Sequence, residues 1–305
     1  MRRRFPEVRD VRATFALALL ISSTLQSAPV RAAQPPVVGR EQVSGTLWMQ
    51  RATEYRVSAE QVYRLATERL GSTIAAPGAA ALEQFDVDAK SLATLPTAIV
   101  VDLDETVLDN SFYQARRALV GGEYDEASWQ AWMSEASAPA IPGARDFLLT
   151  AAAAGHRIFY VTNRLCLPSS STANDPCPAK SWTQRNLLAL GLPNAEDTET
   201  LMLRGERPEW RTSDKSVRRA WIATRYRIVA LVGDDLRDFA DRAIYSASES
   251  RLREQFGTRW FLLPNPLYGS WERAIVDGAC AATMTPAECS AATTARRYEA
   301  LAPTP

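Results

Sequence analysis

The chain has 305 residues, with 35 Lys+Arg against 35 Asp+Glu, a single histidine and 46% hydrophobic residues. This is the composition of a folded globular protein, and it excludes a disordered chain, a collagen and a multi-pass membrane protein. The lone His156, in Gly155-His156-Arg157, excludes every mechanism that needs two histidines.

In chain order, the first segment reads as an export signal. Arg2, Arg3, Arg4, Arg9 and Arg12 precede the nine-residue apolar run Ala13 to Ile21. That run is too short for roughly 30 Å of hydrocarbon and suits a signal-peptide core. Val30 and Ala32 supply small residues at −3 and −1, so cleavage is expected near Ala32, leaving a periplasmic or secreted product. An uncleaved anchor helix is the alternative. No cysteine precedes Cys166, so no lipid anchor is expected. Residues 1–32 hold six arginines against Glu7 and Asp10, a net +4, so the rest of this neutral chain carries −4. Such a charge gives no electrostatic footprint for a nucleic-acid polymer.

Residues 33–92 form an expected N-terminal helical segment, with a helix over 41–70. Thr97-Ala-Ile-Val-Val-Asp102 is a continuous apolar run ending in an acid, the pattern of a strand buried on both faces. Helices are expected over 125–136 and 143–154, and a second strand over 157–162. A Ser-, Pro- and Asn-bearing loop, 165–179, leads to a helix over 180–190. A strand over 199–203, a helix over 213–224 and strands over 227–233 and 259–263 follow. The tail, 278–305, is expected to be irregular. Alternating strands and helices imply an α/β fold: a Rossmann-like parallel sheet flanked by helices, with ligands beyond the carboxyl ends of the strands.

The four cysteines fall into two local pairs, Cys166 with Cys177 and Cys280 with Cys289. An exported chain favours disulfides, and local pairing is the simplest of three connectivities. A zinc site is disfavoured, since no Cys-x-x-Cys unit or nearby histidine occurs.

The chemistry sits at the strand ends. Asp102 and Asp104 close the first strand, Thr162 the second, and Asp234, Asp235 and Asp238 follow the fourth, while Lys215 opens a helix. Three carboxylates in one oxygen-rich crevice suit Mg²⁺. A carboxylate nucleophile, a second carboxyl for proton transfer, a metal and a lysine together make a phosphoryl-transfer site. Singly, each residue reads equally well as a helix cap, turn former or surface group.

Asp102-Leu-Asp-Glu-Thr-Val-Leu-Asp-Asn110 resembles the first motif of the haloacid dehalogenase (HAD) superfamily, and more closely that of its class C, lipoprotein e-like acid phosphatases and 5′-nucleotidases. The resemblance continues through Phe159-Tyr-Val-Thr-Asn-Arg164, Asp214-Lys-Ser216, Val232-Gly-Asp-Asp-Leu-Arg-Asp-Phe239 and Leu263-Pro-Asn-Pro-Leu-Tyr-Gly-Ser-Trp271. It implies a HAD-like core over 93–277 with a small cap at about 110–142 and helices before it. It also implies Mg²⁺-dependent hydrolysis of phosphomonoesters, often nucleoside monophosphates, through an aspartyl phosphate. Asp102 would be the nucleophile and Asp104 the acid and base. Asp102, the backbone carbonyl of Asp104, and Asp234 would hold the metal, and Thr162 and Lys215 the phosphoryl oxygens. Asp235 or Asp238 would stand behind them, orienting metal waters or Lys215; Asp235 occupies a position where relatives often carry Asn. Transfer to an alcohol acceptor and a non-catalytic storage relative are the competing readings.

Substrate contacts are expected from Asn163, Arg164, Trp129 and Tyr268, with Trp132 and Trp271 as core residues. Trp129 and Tyr268 would flank a nucleotide base.

Overall fold

Strands form where the chain stays apolar on both faces, and helices fill the intervals. The computed structural model describes residues 41–302 apart from 122–123, 169–171 and 173. The expected signal segment, 1–32, lies outside the described residues. Among the described residues no helix is long and apolar enough to cross a membrane.

The expected N-terminal helix is two helices, α1 (Glu41–Arg51) and α2 (Thr53–Ala75), parted at Ala52, whose backbone is extended. After α3 (Ala89–Ala93), N-capped by the Asp88 carboxylate, comes β1 (Thr97–Val101). Helices α4 (Ser111–Val120) and α5 (Glu126–Glu135) follow, in the stretch where a small cap is expected. The core resumes with α6 (Ala144–Ala153), β2 (Arg157–Leu165), α7 (Pro178–Ala189) and β3 (Leu201–Arg204). It continues through α8 (Ser216–Ala223), β4 (Arg227–Gly233), α9 (Arg242–Ala247), α10 (Glu249–Arg253) and β5 (Trp260–Leu262). Two helices close the chain, α11 (Ser270–Val276) and α12 (Pro286–Glu299).

All five strands are parallel, in the order β3-β2-β1-β4-β5. The chain leaves β1 toward β2 on one side and returns to β4 on the other. This reversal opens a crevice at the carboxyl end of β1. Val101 pairs with Val232, so Asp102 and Asp234 emerge side by side.

Alternate strand residues enter two apolar layers. Ile99 and Val101 pack in the layer of Tyr63, Phe147 and Leu148; Ala98 and Val100 pack in that of Trp210, Phe239 and Trp260. Burying each such Val, Ile, Leu or Phe contributes about 1.5–3 kcal/mol before the entropy of ordering it is counted. Helix α2 lies close enough that Gly143, at φ +86°, has no room for a side chain: a Cβ there would stand 3.1 Å from the Tyr63 Cβ. The Tyr63 hydroxyl in turn donates to the Thr106 carbonyl at 2.6 Å, tying α2 to the loop after β1. His156 is buried at the opposite end of the sheet, its Nδ1 2.9 Å from the Thr97 hydroxyl, and takes no part in the crevice.

The expectation of an irregular tail over 278–305 is overturned by α12. Thr285 and Glu288 form a reciprocal capping box, Pro286 opens the first turn, and the alanines that follow are strong helix formers. The Cys280–Cys289 disulfide ties the loop after α11 to α12, and an Arg297–Glu272 ion pair at 2.8 Å fastens α12 to α11. The other bridge joins Cys166 to Cys177, so both local pairs form.

Candidate active site

Asp102 follows the last residue of β1 and is buried at the centre of the crevice. The Lys215 ammonium reaches it from the start of α8, and also pairs with the Asp238 carboxylate at 2.6 Å. Burial pushes the Asp102 carboxyl up to about 7, with Asp238 and Asp104 adding repulsion against the opposing pull of Lys215. Burial also works against the Lys215 ammonium, but the charges of Asp102 and Asp238 outweigh it and hold it above the usual lysine range.

Asp238 is placed by the turn that ends β4. Its Oδ2 accepts from the backbone N–H groups of Asp234 and Asp235 at 3.1 and 3.0 Å, and its Oδ1 faces Lys215. Gly233 makes this possible, because a Cβ there would lie 2.3 Å from Asp238 Oδ2. Asp234 accepts from Thr106 Oγ1 at 3.0 Å and from Asn265 Nδ2 at 2.7 Å. Burial, then the charges of Asp102 and Asp238, pushes Asp234 well above the carboxylate range. Oxygen atoms of Asp102, Asp234 and Asp238 all lie within 4.8 Å of one another. Carboxylates crowded in this way, with two of them driven toward protonation, suit an added hard divalent cation. Asp235 points elsewhere: it accepts from the Arg237 and Ser270 amides, and these bonds outweigh burial and lower its pKa. Of the two acids left open by the sequence, Asp238 is therefore the one that meets Lys215.

Asp104 is held by residues of β2 and of the turn before α4. Arg164 clasps it, with Nη2 at 2.7 Å and Nε at 3.0 Å from Oδ1, while Asn110 Nδ2 donates to the same oxygen at 2.9 Å. Thr162 Oγ1 lies 3.3 Å from Oδ2. Arg164 is itself buried, and its Nη1 donates to Thr183 on α7 at 2.9 Å. Its guanidinium also lies 5.5 Å from the Trp129 ring centroid. Arg164, expected to touch substrate, lines the cleft and at the same time holds Asp104. Asn163 lines the crevice, its Oδ1 accepting from Arg218 at 2.8 Å.

The crevice opens into a cleft of about 680 Å³. Trp129 and Tyr268 both line it, although Trp129 is largely buried against Tyr113 at 5.0 Å. The Tyr268 hydroxyl donates to the Glu105 carboxylate, tying that ring to the loop after β1. Trp132 is core, as expected, its indole N–H donating to Asn110 Oδ1 at 2.8 Å. Trp271 is not: it is 43% exposed and lines the cleft, while its neighbour Ser270 takes the buried position at the start of α11.

Several partners escaped the sequence reading: Asn110 on Asp104, Asn265 on Asp234, and Glu105 under Tyr268. All three lie inside the motif segments, but their roles depend on which neighbour the fold brings to them. Glu105, directly after Asp104, has a positive φ of 61°, which Ala136 and Asn194 share among the described non-glycine residues.

Residues 18–271 match the model of the HAD superfamily, subfamily IIIB (Acid phosphatase). The chain belongs to that subfamily. Among solved structures, this acid phosphatase-family chain is similar to the class C acid phosphatase from Bacillus anthracis, at 28% identity and a TM-score of 0.68, covering 88% of this chain and 99% of that one. The same enzyme with tungstate bound matches equally well and is covered in full. A curated relative, Acid phosphatase 1 of Solanum lycopersicum, is 27% identical over 172 residues, and the match spans 55% of this chain and 57% of the tomato protein.

Proposed function

We propose that this protein is a Mg²⁺-dependent acid phosphatase that hydrolyses phosphomonoesters, nucleoside monophosphates among them, through an aspartyl-phosphate intermediate. The observation that carries the reading is the placement of Asp102: a buried carboxylate at the end of the central strand, paired with a lysine and set among other acids. The tungstate-bound Bacillus anthracis relative supports a site for a tetrahedral oxyanion.

Asp102 attacks phosphorus through a carboxylate oxygen as the bond to the leaving oxygen breaks. Asp104 gives that oxygen its proton, so an alcohol departs and Asp102 carries the phosphoryl group. Asp104, now a carboxylate, takes a proton from a water whose oxygen attacks phosphorus. Inorganic phosphate leaves and Asp102 is restored. Lys215 and Thr162 bind the non-reacting phosphoryl oxygens, Lys215 offsetting charge that grows in the transition state. Asp238 is a positioning residue that aims Lys215, and Arg164 and Asn110 position Asp104. Asp102, Asp234 and the backbone carbonyl of Asp104 would hold Mg²⁺, which when bound supplies positive charge against the phosphoryl oxygens and lets both acids stay ionised.

Trp129 and Tyr268 on the cleft wall support stacking with a flat base, an interaction worth about 1–3 kcal/mol. The two disulfides support an oxidising, exported location.

The test is Asp102→Asn, assayed for phosphate release from AMP and p-nitrophenyl phosphate with and without Mg²⁺. A folded variant is expected to lose at least 10³-fold in kcat, on the scale of removing a covalent nucleophile. Turnover near the wild-type value would overturn the covalent mechanism.

A further inference from the structure

The cleft is larger than the phosphoryl chemistry requires, and its outer wall is basic. At its base stand Asp102, Asp104, Asp234 and Asp238 with Lys215 and Arg164. Farther out, the same cleft is lined by arginines from four separate parts of the chain: Arg117 on α4, Arg204 at the end of β3, Arg237 after β4, and Arg273 and Arg297 on the closing helices. Only three acids join them there, and each is engaged. Asp235 pairs with Arg237, Glu272 with Arg297, and Glu126 accepts from the Tyr124 hydroxyl.

Two of the arginines have no carboxylate partner among the described residues. Arg204 is half-buried and spends only its Nε, on the Arg211 carbonyl at 3.0 Å. Arg273 is exposed and makes no side-chain hydrogen bond or ion pair among the described residues. Helices normally place such residues on a solvated face, where they add nothing to a site. Here both border a concave wall where charge is less screened and where a guanidinium can grip a phosphate through two N–H groups.

One wall of the cleft lies beyond the matched segment. The family match stops at residue 271, and Glu272, Arg273, Ser290, Thr293 and Arg297 lie beyond it yet line the cleft. The Cys280–Cys289 bridge and the Arg297–Glu272 pair hold that wall together.

We infer that the outer cleft is a subsite for a second anionic group, so that this phosphatase favours phosphomonoesters carrying another phosphate, such as nucleoside bisphosphates, over the matching monophosphates. The inference rests on the phosphatase reading above and refines its substrate class. The base of the cleft takes the phosphoryl group to be hydrolysed, and the arginine-bearing outer wall, to which Arg204 and Arg273 each contribute an uncommitted guanidinium, takes the distal one. A cleft of about 680 Å³ lies within the ordinary range for a drug-sized ligand, which leaves room for a nucleoside and both phosphates.

The experiment compares adenosine 3′,5′-bisphosphate with AMP, following 5′-phosphate loss by chromatography of the products. Wild type is expected to show a bisphosphate-to-monophosphate ratio of kcat/KM near tenfold at 50 mM salt, falling toward unity at 0.5 M as charge is screened. The Arg204→Gln/Arg273→Gln double variant is expected to lose that ratio. Arg69→Gln, the same charge change on exposed α2 away from the cleft, is expected to keep it. A wild-type ratio of one, or a ratio unaltered in the double variant, overturns the subsite while leaving phosphatase activity on AMP intact. If neither nucleotide is cleaved, the phosphatase reading fails instead, and equilibrium binding of the two nucleotides to wild type and double variant still decides the subsite.

Discussion

Replacing Arg164 separates two roles that its position allows. The guanidinium makes a forked ion pair with Asp104 and a further bond to Thr183, and its side chain is only 2% exposed. Removing one partner of a buried ion pair costs about 3–5 kcal/mol. Asp104 is 17% exposed and keeps Asn110 and Thr162, so Arg164→Ala is expected to lose about 2 kcal/mol of stability, below that range because solvent and remaining donors satisfy the carboxylate. The kinetic effect is larger. A proton donor displaced by about 1 Å loses on the order of 10²-fold in rate. Arg164→Ala should therefore lower kcat by about 10²-fold with KM within threefold, and Arg164→Lys, which keeps charge without the fork, should recover only part. The assay is steady-state hydrolysis of p-nitrophenyl phosphate, alongside thermal melting to establish that each variant is folded. A variant with unchanged kcat and a KM raised tenfold would refute the positioning argument and return Arg164 to the substrate.

Gly233→Ala should drive the Asp238 carboxylate from under the strand end, lowering kcat at least tenfold and Tm by several degrees; wild-type values for both would show that the turn relaxes freely. In metal-free protein Asp102 is raised by burial and by its acidic neighbours, so the folded state binds more protons than the unfolded one between about pH 4 and pH 7. Stability from this group is thus full at the acidic end and lost as pH rises through about 7. In EDTA, the Tm advantage of Asp102→Asn over wild type should widen from pH 5 to pH 8 and shrink when Mg²⁺ is added; a gap that is flat with pH would count against this account. Opening the Cys166–Cys177 bridge by Cys166→Ser and Cys177→Ser together should loosen the link between β2, which carries Arg164, and α7, which carries Thr183. The expected result is a lowered kcat with a smaller change in Tm, and activity equal to wild type would uncouple the loop from Asp104.

Much of the architecture was legible along the chain, because a strand buried on both faces needs an unbroken apolar run and a local reading detects one. Thr97–Val101 and Arg227–Gly233 are such runs, and the acids that end them, Asp102 and Asp234, had to emerge at the same edge of a parallel sheet. Boundaries drifted where the local signal was weak. Helix α1 parts from α2 at Ala52 without a breaking residue, and α12 was hidden in an Ala- and Thr-rich tail whose capping box spans Thr285 to Glu288.

What tertiary structure alone decided is which side chains meet. The strand order sets β1 between β2 and β4, and only that order brings Lys215 and Asp238 to Asp102 and leaves Asp235 bonded to Ser270. Arg164 reads as a ligand-facing cation in sequence, and the fold adds a partner no local reading supplies, Asp104. Trp271 reads as core, yet it stands on the cleft wall, and Arg273 and Arg297 border the same cleft from helices joined by the Arg297–Glu272 ion pair. Apolar periodicity and strand-end acids are local properties of the chain, whereas ion pairs and cleft walls join residues as far apart as Asp102 and Lys215 and exist only after the sheet has closed.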